Sequence, residues 1–345
     1  MEQPTPQFAT VPLQWVGPLR LIHHGVDEEI SVPLATYESP LWPSTARGAR
    51  VSVLSGGIKV TVVDDRMTRS VLFEAADAGA ALAAAAVLRA REPELAHAVA
   101  ETSRYARLID LHTQHVANLL YLRFAFQTGD ASGHNMATKA SERLMQWIEA
   151  NVPGLQYVSL SANYCTDKKV SAVNGILGRG KNVVAELTVP GKIVARYLKS
   201  TPAKIADLNV KKNLLGTMLA GGVRAANAHY ANILLAFYLA TGQDAANIVE
   251  GSQGFTHAEA RGDDLYFSAT LPNLIVGTVG NGKGLPFVTE NLERLGCRAD
   301  RPSGENARRL AALCAAATLC GELSLMAALT NPGELMAAHL RLERA

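Results

Sequence analysis

Two charged segments stand where ordinary packing would not require charge. Glu38 lies among prolines and apolar residues in VPLATYESPLWP, and a carboxyl group held there should have a raised pKa that suits a proton donor. Lys168 and Lys169 follow Asp167 in SANYCTDKKVSA, and adjacent ammonium groups in a loop of small residues favour an anionic ligand. A surface glutamate and a solvated lysine pair are the plain structural alternatives.

Two further ionisable residues also allow both a functional and a purely structural interpretation. Asp244 follows Gly242 at a predicted helix end, where its carboxylate could pair with a lysine or serve only the turn. His339 lies in a polar tail. A lone histidine there is usually just exposed, but it titrates near neutrality, as protonation of a thiolate leaving group requires.

Two glycine-rich segments could hold a nucleotide. TGDASGHNM at 128–136 runs from a predicted strand into a predicted helix, so the first backbone amides of that helix could face a phosphate or ribose. GTVGNGK at 277–283 follows another strand. Neither segment matches GxGxxG or GxxxxGK[ST], and each alone is typical of an ordinary turn.

Composition limits the functional class. The chain has 345 residues, of which 48% are hydrophobic and 19% charged, and 33 basic against 31 acidic residues give a formal charge of +2. This balance excludes a disordered chain and predicts no nucleic-acid or membrane partner. The four cysteines lack metal or disulfide spacing, so we expect no metal and reduced thiols. No signal peptide or span of about 20 apolar residues is recognised, which predicts a cytoplasmic protein.

The elements that must position these residues are mixed helices and strands, and the predicted class is α+β. Alternating β-branched residues around Gly56 and Gly57 predict a hairpin over 51–65. Other predicted elements are helices over 75–90, 93–118, 135–150, 203–209, 225–240 and 304–329, with Ser303 as N-cap of the last, and strands over 119–126, 183–189 and, in two pieces around Pro272, 265–279.

The motifs taken together are far more specific than any one of them. PLATYES, TGDASGHNM, SANYCTDKK, GRGK, KKNLLGT, NAHYANI, GQDA, GTVGNGK and GENARRLA occur in this order over about residues 30–340. This series closely resembles the catalytic part of hydroxymethylglutaryl-coenzyme A (HMG-CoA) reductase. The TDKK form resembles class I, and the membrane anchor of the eukaryotic members is not recognised.

The resemblance implies an architecture. The family has a large domain, here residues 1–69 and 159–345, into which a small ferredoxin-like domain that binds the nicotinamide nucleotide is inserted, here residues 70–158. The family's active sites lie between subunits, which implies a homodimer or a higher homo-oligomer.

The resemblance also implies a reaction, the reduction of (S)-HMG-CoA through mevaldehyde to mevalonate and coenzyme A by two reduced nicotinamides. In this reading Lys168 stabilises the developing oxyanion. Glu38 donates a proton in the aldehyde step, and Asp244 hydrogen-bonds between the two. His339 protonates the departing thiolate.

Ligand contacts are implied at further matching positions. Arg104 beside Ser103 favours NADPH over NADH, although NADH stays open. The residues implied to bind the hydroxymethylglutaryl group are Arg69, Ser161, Asp167, Lys169, Lys212, His229 and Asn232. Those implied to bind the cofactor are Ser103, Arg104, Asp130, Ser132, Gly133, His134, Asn135, Met136, Val279, Gly280 and Asn281.

This chain departs from the family pattern in three motifs. It has ATYES for ATTEG, DASGHNM for DAMGMNM, and GTVGNGK where three glycines and a threonine are usual. The departures lie on cofactor and pocket contacts and keep two alternatives open. One is a paralogous oxidoreductase acting on a related acyl-CoA or 3-hydroxy acid, and the other is a non-catalytic protein that binds a CoA thioester.

Overall fold

The computed structural model describes residues 8–343, apart from the side chains at 338, 339 and 341–343. The strands are β1 Leu13–His23, β2 Val26–Ala35, β3 Ile58–Glu74, β4 Arg107–Val116, β5 Leu119–Gln127, β6 Gln156–Ser159, β7 Gly180–Val189, β8 Phe255–Arg261 and β9 Asp264–Leu274. The helices are α1 Leu41–Leu54, α2 Ala78–Ala90, α3 Glu92–Ala100, α4 His134–Asn151, α5 Val173–Leu177, α6 Gly191–Ile193, α7 Pro202–Leu208, α8 Thr217–Leu219, α9 Tyr230–Ala240, α10 Ile248–Gly251, α11 Pro286–Arg294, α12 Glu305–Leu329 and α13 Glu334–Glu343. Shorter π-helical and 3₁₀ segments are Val194–Leu198, Asn209–Gly216 and Ala245–Asn247.

One long strand joins the two parts of the sheet. β3 has 17 residues; its first half, through Arg66, pairs antiparallel with β7, and its second half, from Met67, pairs antiparallel with β5. The main path is β2-β1-β3-β7-β9-β8, with β4, β5 and β6 on the second half of β3. β3 therefore carries Arg69 next to the point where its partners change.

The elements around the second half of β3 form a unit of their own. They follow the order strand, helices α2 and α3, strands β4 and β5, helix α4 and strand β6, which is the β-α-β-β-α-β succession of ferredoxin-like units. Their apolar core comes from residues between Met67 and Leu155 together with Ile275. The predicted boundary at residues 69 and 70 falls inside β3, and the domain limits stay a prediction.

Helix α12 is the centre of the larger core. Nineteen of its 25 residues are buried, and α1 crosses it so closely that a Cβ on Gly48 would lie 2.0 Å from the Cys320 carbonyl oxygen. Within the described residues α12 is also the one helix long and apolar enough to span a bilayer, but 94% of that window is buried inside the protein. Burial on all sides is typical of a core helix.

The thiols confirm the expectation of unpaired cysteines. Cys165, Cys297, Cys314 and Cys320 are all free and buried. Burial raises the pKa of Cys297 to about 12 and moves the pKa values of Cys314 and Cys320 upward as well, because an apolar environment disfavours the thiolate.

The mixed α+β prediction is confirmed, but several elements differ from expectation. The hairpin over 51–65 is wrong, since 51–54 end helix α1 and β3 begins only at Ile58. Packing of α1 against α12 outweighs the local β-propensity there. The helix predicted over 93–118 is correct only as far as Ala100, because 107–116 form β4.

Three details near the second half of the chain are also corrected. The two strand pieces around Pro272 are one strand, β9, which accommodates the proline where its register with β7 shifts. Ser303 is not the N-cap of α12; Gly304 occupies that position with φ of 93° and no side-chain cap of its own. The helix predicted over 225–240 begins at Tyr230.

Candidate active site

The structure brings the predicted catalytic lysine and aspartate into contact. Lys168 Nζ lies 2.6 Å from Asp244 Oδ2, although the two residues are 76 positions apart in the sequence. The hydrogen bond to Asp244 raises the pKa of Lys168. Partial burial would raise the pKa of Asp244, but the bonds from Lys168 and the Ala246 amide outweigh it and lower that pKa. Both groups are therefore charged at neutral pH.

The loop that presents Lys168 is conformationally strained. Asn163, Thr166 and Lys168 all have positive φ, between 44° and 59°, a region that non-glycine residues rarely adopt. Such strain persists only where the surroundings over-determine it, and it is common at functional sites.

A buried ionic cluster supplies those surroundings. The Arg179 guanidinium is fully buried, donates to Asp167 Oδ1 at 2.7 Å and lies 3.6 Å from Glu250 Oε1. Burial would raise the pKa of Asp167, but His134 and Arg179 outweigh it and hold that pKa well below its usual range. The cluster thus anchors the residue next to Lys168 and keeps it ionised.

The ion pair of Lys168 and Asp244 opens into a cavity of about 500 Å³. Such a volume is typical of small-molecule sites. Its lining brings together most of the residues predicted for the cofactor, the catalytic lysine and aspartate, and two residues predicted for the substrate: Arg69, Ala131, Ser132, Gly133, His134, Asn135, Met136, Asp167, Lys168, Asp244, Val279, Gly280, Asn281 and Lys283.

The two glycine-rich segments lie side by side in this wall. Ala131 and Val279 form an isolated parallel bridge, and a Cβ on Gly277 would lie 2.4 Å from the Ser132 nitrogen. The segment before α4 ends at Gly133, whose φ is 95° and which provides no side-chain cap. The uncapped start of this 18-residue helix therefore faces the cavity and suits an anionic group.

Three residues predicted for the cofactor lie elsewhere. Asp130 accepts the amides of Gly304 and Ala307 at 3.0 and 2.9 Å and so caps α12. Arg104 packs over the Tyr105 ring and lines a separate cleft. Ser103 accepts the Tyr105 amide at 3.2 Å. The structure does not place these three in the Lys168 cavity.

The residues predicted for the substrate are divided. Arg69 donates to Thr138 at 2.8 Å and lies 3.5 Å from the hydroxyl of Ser161. Lys169 donates to the carbonyl of Asp167 at 3.1 Å and is exposed. Lys212 lies in the π-helical segment Asn209–Gly216 and, within the described chain, lines neither this cavity nor the next one.

Glu38 lies in a second cavity of about 510 Å³. Its Oε2 accepts the Asn232 amide at 2.7 Å, and His229 lines the same cavity while its Nδ1 lies 2.9 Å from buried Glu322. Among described residues the two cavity linings have no member in common. Within the part of the chain that the structure describes, the predicted contact of Asp244 with Glu38 is not made, and the ion pair of Asp244 is with Lys168.

Helix α13 forms one side of the second cavity. Glu334 lines it and pairs with Arg47 on α1 at 2.5 Å, which docks the tail on the larger core, as its polar composition requires. His339 falls within α13, but its side chain lies outside the described residues.

Sequence analysis missed four charged residues that organise these sites. Arg179 stands within the quoted GRGK motif, and Glu322 and Glu250 are acidic residues in apolar surroundings. Lys283 was noted only as a departure from the family pattern, yet it is 5% exposed and lines the Lys168 cavity. A charge within an apolar run was the signal that could have identified Glu322, because buried charges require partners. Among the described residues, no group of three or more His, Cys, Asp and Glu side chains could hold a metal ion.

Comparison with known proteins gives one consistent result. The family model described as hydroxymethylglutaryl-coenzyme A reductase matches residues 7–344. The 3-hydroxy-3-methylglutaryl-coenzyme A reductase of Aeropyrum pernix is 45% identical over 336 residues, 97% of this chain and 79% of that protein. The Halobacterium salinarum enzyme of the same name is 41% identical over 337 residues, 97% of this chain and 82% of that protein.

A solved structure shares the fold. The class II 3-hydroxy-3-methylglutaryl-CoA reductase from Streptococcus pneumoniae, solved with NADPH in open conformations, superposes with a TM-score of 0.75 at 21% identity, covering 96% of this chain and 88% of that one. The predicted fold class is thereby confirmed. The chain belongs to the hydroxymethylglutaryl-coenzyme A reductase family.

Proposed function

We propose that this protein reduces (S)-HMG-CoA to mevalonate and free coenzyme A with NADPH as the reductant. The observation that carries the proposal is the 2.6 Å ion pair of Lys168 and Asp244, exposed to a cavity whose wall joins both glycine-rich segments. One thioester, two NADPH and two protons give one mevalonate, one coenzyme A and two NADP⁺. The bound nucleotide supplies the hydride in each step.

Lys168 is assigned the stabilisation of negative charge on the carbonyl oxygen. A preorganised ammonium is most effective where charge develops in the transition state. Asp244 holds this ammonium in place and keeps it protonated, since it raises the pKa of Lys168. From the resemblance, Glu38 donates the proton in the aldehyde step and His339 protonates the thiolate of coenzyme A.

The uncapped start of α4 is proposed to hold a phosphate or ribose of the nucleotide. Ser132, Gly133, His134, Asn135 and Met136 line the cavity there, opposite Val279, Gly280 and Asn281. Arg104, in its separate cleft with Arg107 and Arg308, is proposed to contact the 2′-phosphate that distinguishes NADPH from NADH.

A homodimer is proposed to assemble the complete site. Glu38 and Lys168 line different cavities of one chain, and Lys168 and Asp244 are 40% and 47% exposed, which leaves room for a second copy to cover them. Exposed apolar side chains near the π-helical segment, including Met218 at 70% and Leu219 at 91%, favour a buried contact surface. The cytoplasmic location and the class I assignment remain predictions.

The first test is turnover. Oxidation of NADPH with HMG-CoA, followed by absorbance, should occur in the parent protein and fall at least about 100-fold in kcat for Lys168→Met. Exposed Lys204 offers a matched control, since Lys204→Met removes the same charge on a helix outside both cavity linings. Turnover confined to another thioester would refute the assigned substrate.

The second test addresses the shared site. Glu38→Gln and Lys168→Met should each be inactive alone, but dimers that combine them contain one intact site. Random mixing gives heterodimers in half of all dimers, each with one of two sites intact, so about one quarter of parent activity should return. Absence of recovery, with heterodimers demonstrated by differently tagged chains, would contradict the shared site.

One observation favours the paralogous oxidoreductase as second candidate. Ser132, His134, Asn281 and Lys283, the substituted positions of the two glycine-rich segments, all line the Lys168 cavity. A related acyl-CoA or 3-hydroxy acid as preferred substrate would show itself as a higher kcat/KM than that for HMG-CoA in the same assay. Thioester binding without any nicotinamide oxidation would instead identify the non-catalytic binding protein.

A further inference from the structure

Lys283 is a buried amine in the wall of the Lys168 cavity. It is 5% exposed, and its Nζ donates a hydrogen bond to the carbonyl oxygen of Gly242. The family pattern usually has threonine here, so none of the roles assigned above requires this ammonium. A buried cation is costly unless nearby groups compensate it.

The bond from Lys283 fastens the segment that leads into Asp244. Gly242 and Gly282 approach so closely that a Cβ on either would lie 2.7 Å from the other's carbonyl oxygen. Beside this contact, the Gln243 side chain accepts the Gly277 amide at 2.9 Å and donates to the Gly277 carbonyl at 3.1 Å. The glycine-rich segment 277–283 therefore holds the backbone immediately before Asp244 at two points.

The charges around Lys283 make it responsive to Asp244. Burial lowers the pKa of Lys283 to about 8, and the negative charge of Asp244 acts against that shift. Attraction between two charges is reciprocal, so a charged Lys283 also favours the ionised form of Asp244, to which Lys168 and the Ala246 amide contribute most. Among the described residues, Lys168, Asp167, His134 and Arg69 are the other charged or titratable groups that line the same cavity, and Arg298 donates to the Lys283 carbonyl at 2.7 Å.

We propose that Lys283 is a positioning residue for Asp244: it fixes the Gly242–Asp244 backbone and places a second positive charge in the cavity beside the carboxylate that holds Lys168. Its kinetic consequence rests on the proposed reductase function, whereas its electrostatic coupling to Asp244 does not. In this role Lys283 acts on the reaction through Asp244.

The coupling can be measured without turnover. In protein labelled at the lysine side-chain ε positions, NMR should show one resonance, absent in Lys283→Met, that titrates near pH 8. In Asp244→Asn its midpoint should fall by at least about half a pH unit, because an attractive charge is lost. An unchanged midpoint would overturn the proposal. The shift is measured in a variant at an exposed position, Asp244, and Lys283→Met is needed only to assign the resonance.

The kinetic arm separates charge from simple packing. Near pH 7, Lys283→Met should lower kcat about 3- to 10-fold with the KM for NADPH within about twofold, since Asp244 acts on Lys168. Above about pH 9 the deficit should shrink, because Lys283 is then neutral in the parent protein as well. A deficit that stays constant with pH would overturn the electrostatic role, and Lys204→Met provides the charge-matched control. Failure of the parent protein to reduce HMG-CoA, together with a shifted NMR midpoint, would refute the reductase function but uphold the coupling.

Discussion

Replacement of Asp130 distinguishes a structural from a ligand-binding role. Its carboxylate accepts two amides at the start of α12, from Gly304 and Ala307. Losing an N-cap acceptor costs about 0.5–2 kcal/mol, and losing a negative charge at a helix start costs a further 0.3–1 kcal/mol or so. We therefore expect Asp130→Ala to lower the free energy of unfolding by about 1–3 kcal/mol, and the whole protein should lose this stability because α12 is the centre of the larger core.

Urea unfolding followed by circular dichroism measures this loss, with nucleotide binding measured in parallel. Asp130→Asn is the graded control, because it keeps one acceptor and loses the charge, and we expect about half the effect. The KM for NADPH should stay within about twofold in both variants at temperatures where they remain folded. An unchanged unfolding free energy combined with a strongly raised KM would refute the capping role and restore Asp130 as a cofactor contact.

Three other substitutions have direct expectations. Asp167→Asn should destabilise the protein by about 2 kcal/mol at neutral pH. Its folded-state pKa lies below the unfolded value near 3.9, so the stabilisation by the carboxylate is fully present above about pH 4 and is lost as pH falls towards the folded pKa. Urea unfolding of the parent and the variant between about pH 7 and pH 3 checks this. A difference in unfolding free energy that is the same at every pH would contradict it. Gly48→Ala should lower the free energy of unfolding by more than about 3 kcal/mol, because its Cβ would lie 2.0 Å from the Cys320 carbonyl oxygen. Gly284→Ala serves as control in the same unfolding measurement, since its Cβ would meet nothing within 4 Å. Arg104→Ala should raise the KM for NADPH at least about 10-fold more than that for NADH; an equal effect on both would remove the phosphate contact.

Local sequence signals predicted the fold where burial and periodicity agree. The strand at 119–126 and the helix at 135–150 appear as β5 and α4 within one or two residues. The hairpin over 51–65 failed because the close crossing of α1 and α12 is a contact between residues far apart in sequence. The prediction of Ser303 as N-cap of α12 was wrong for the same reason, since Asp130 supplies the capping carboxylate from 174 positions away.

The candidate site shows the same limit. The motifs predicted Lys168 and Asp244, and the structure brings them together. They could not predict that Glu38 and Lys168 would line different cavities, because the order of motifs along the chain does not say which loops meet in space. Arg179 and Lys283 were missed because their importance comes from burial beside other charges, and a single sequence gives no measure of burial for long basic side chains.

The buried thiols of Cys314 and Cys320 are natural probes of how often the larger core opens. A thiol reagent cannot attack either atom while α12 keeps its place, and the neutral thiol favoured by burial reacts slowly in any case. Modification of these two positions therefore waits for the central helix to separate from its neighbours. The speed of labelling in native buffer would report how often the whole larger core opens, a quantity that steady-state turnover does not reveal.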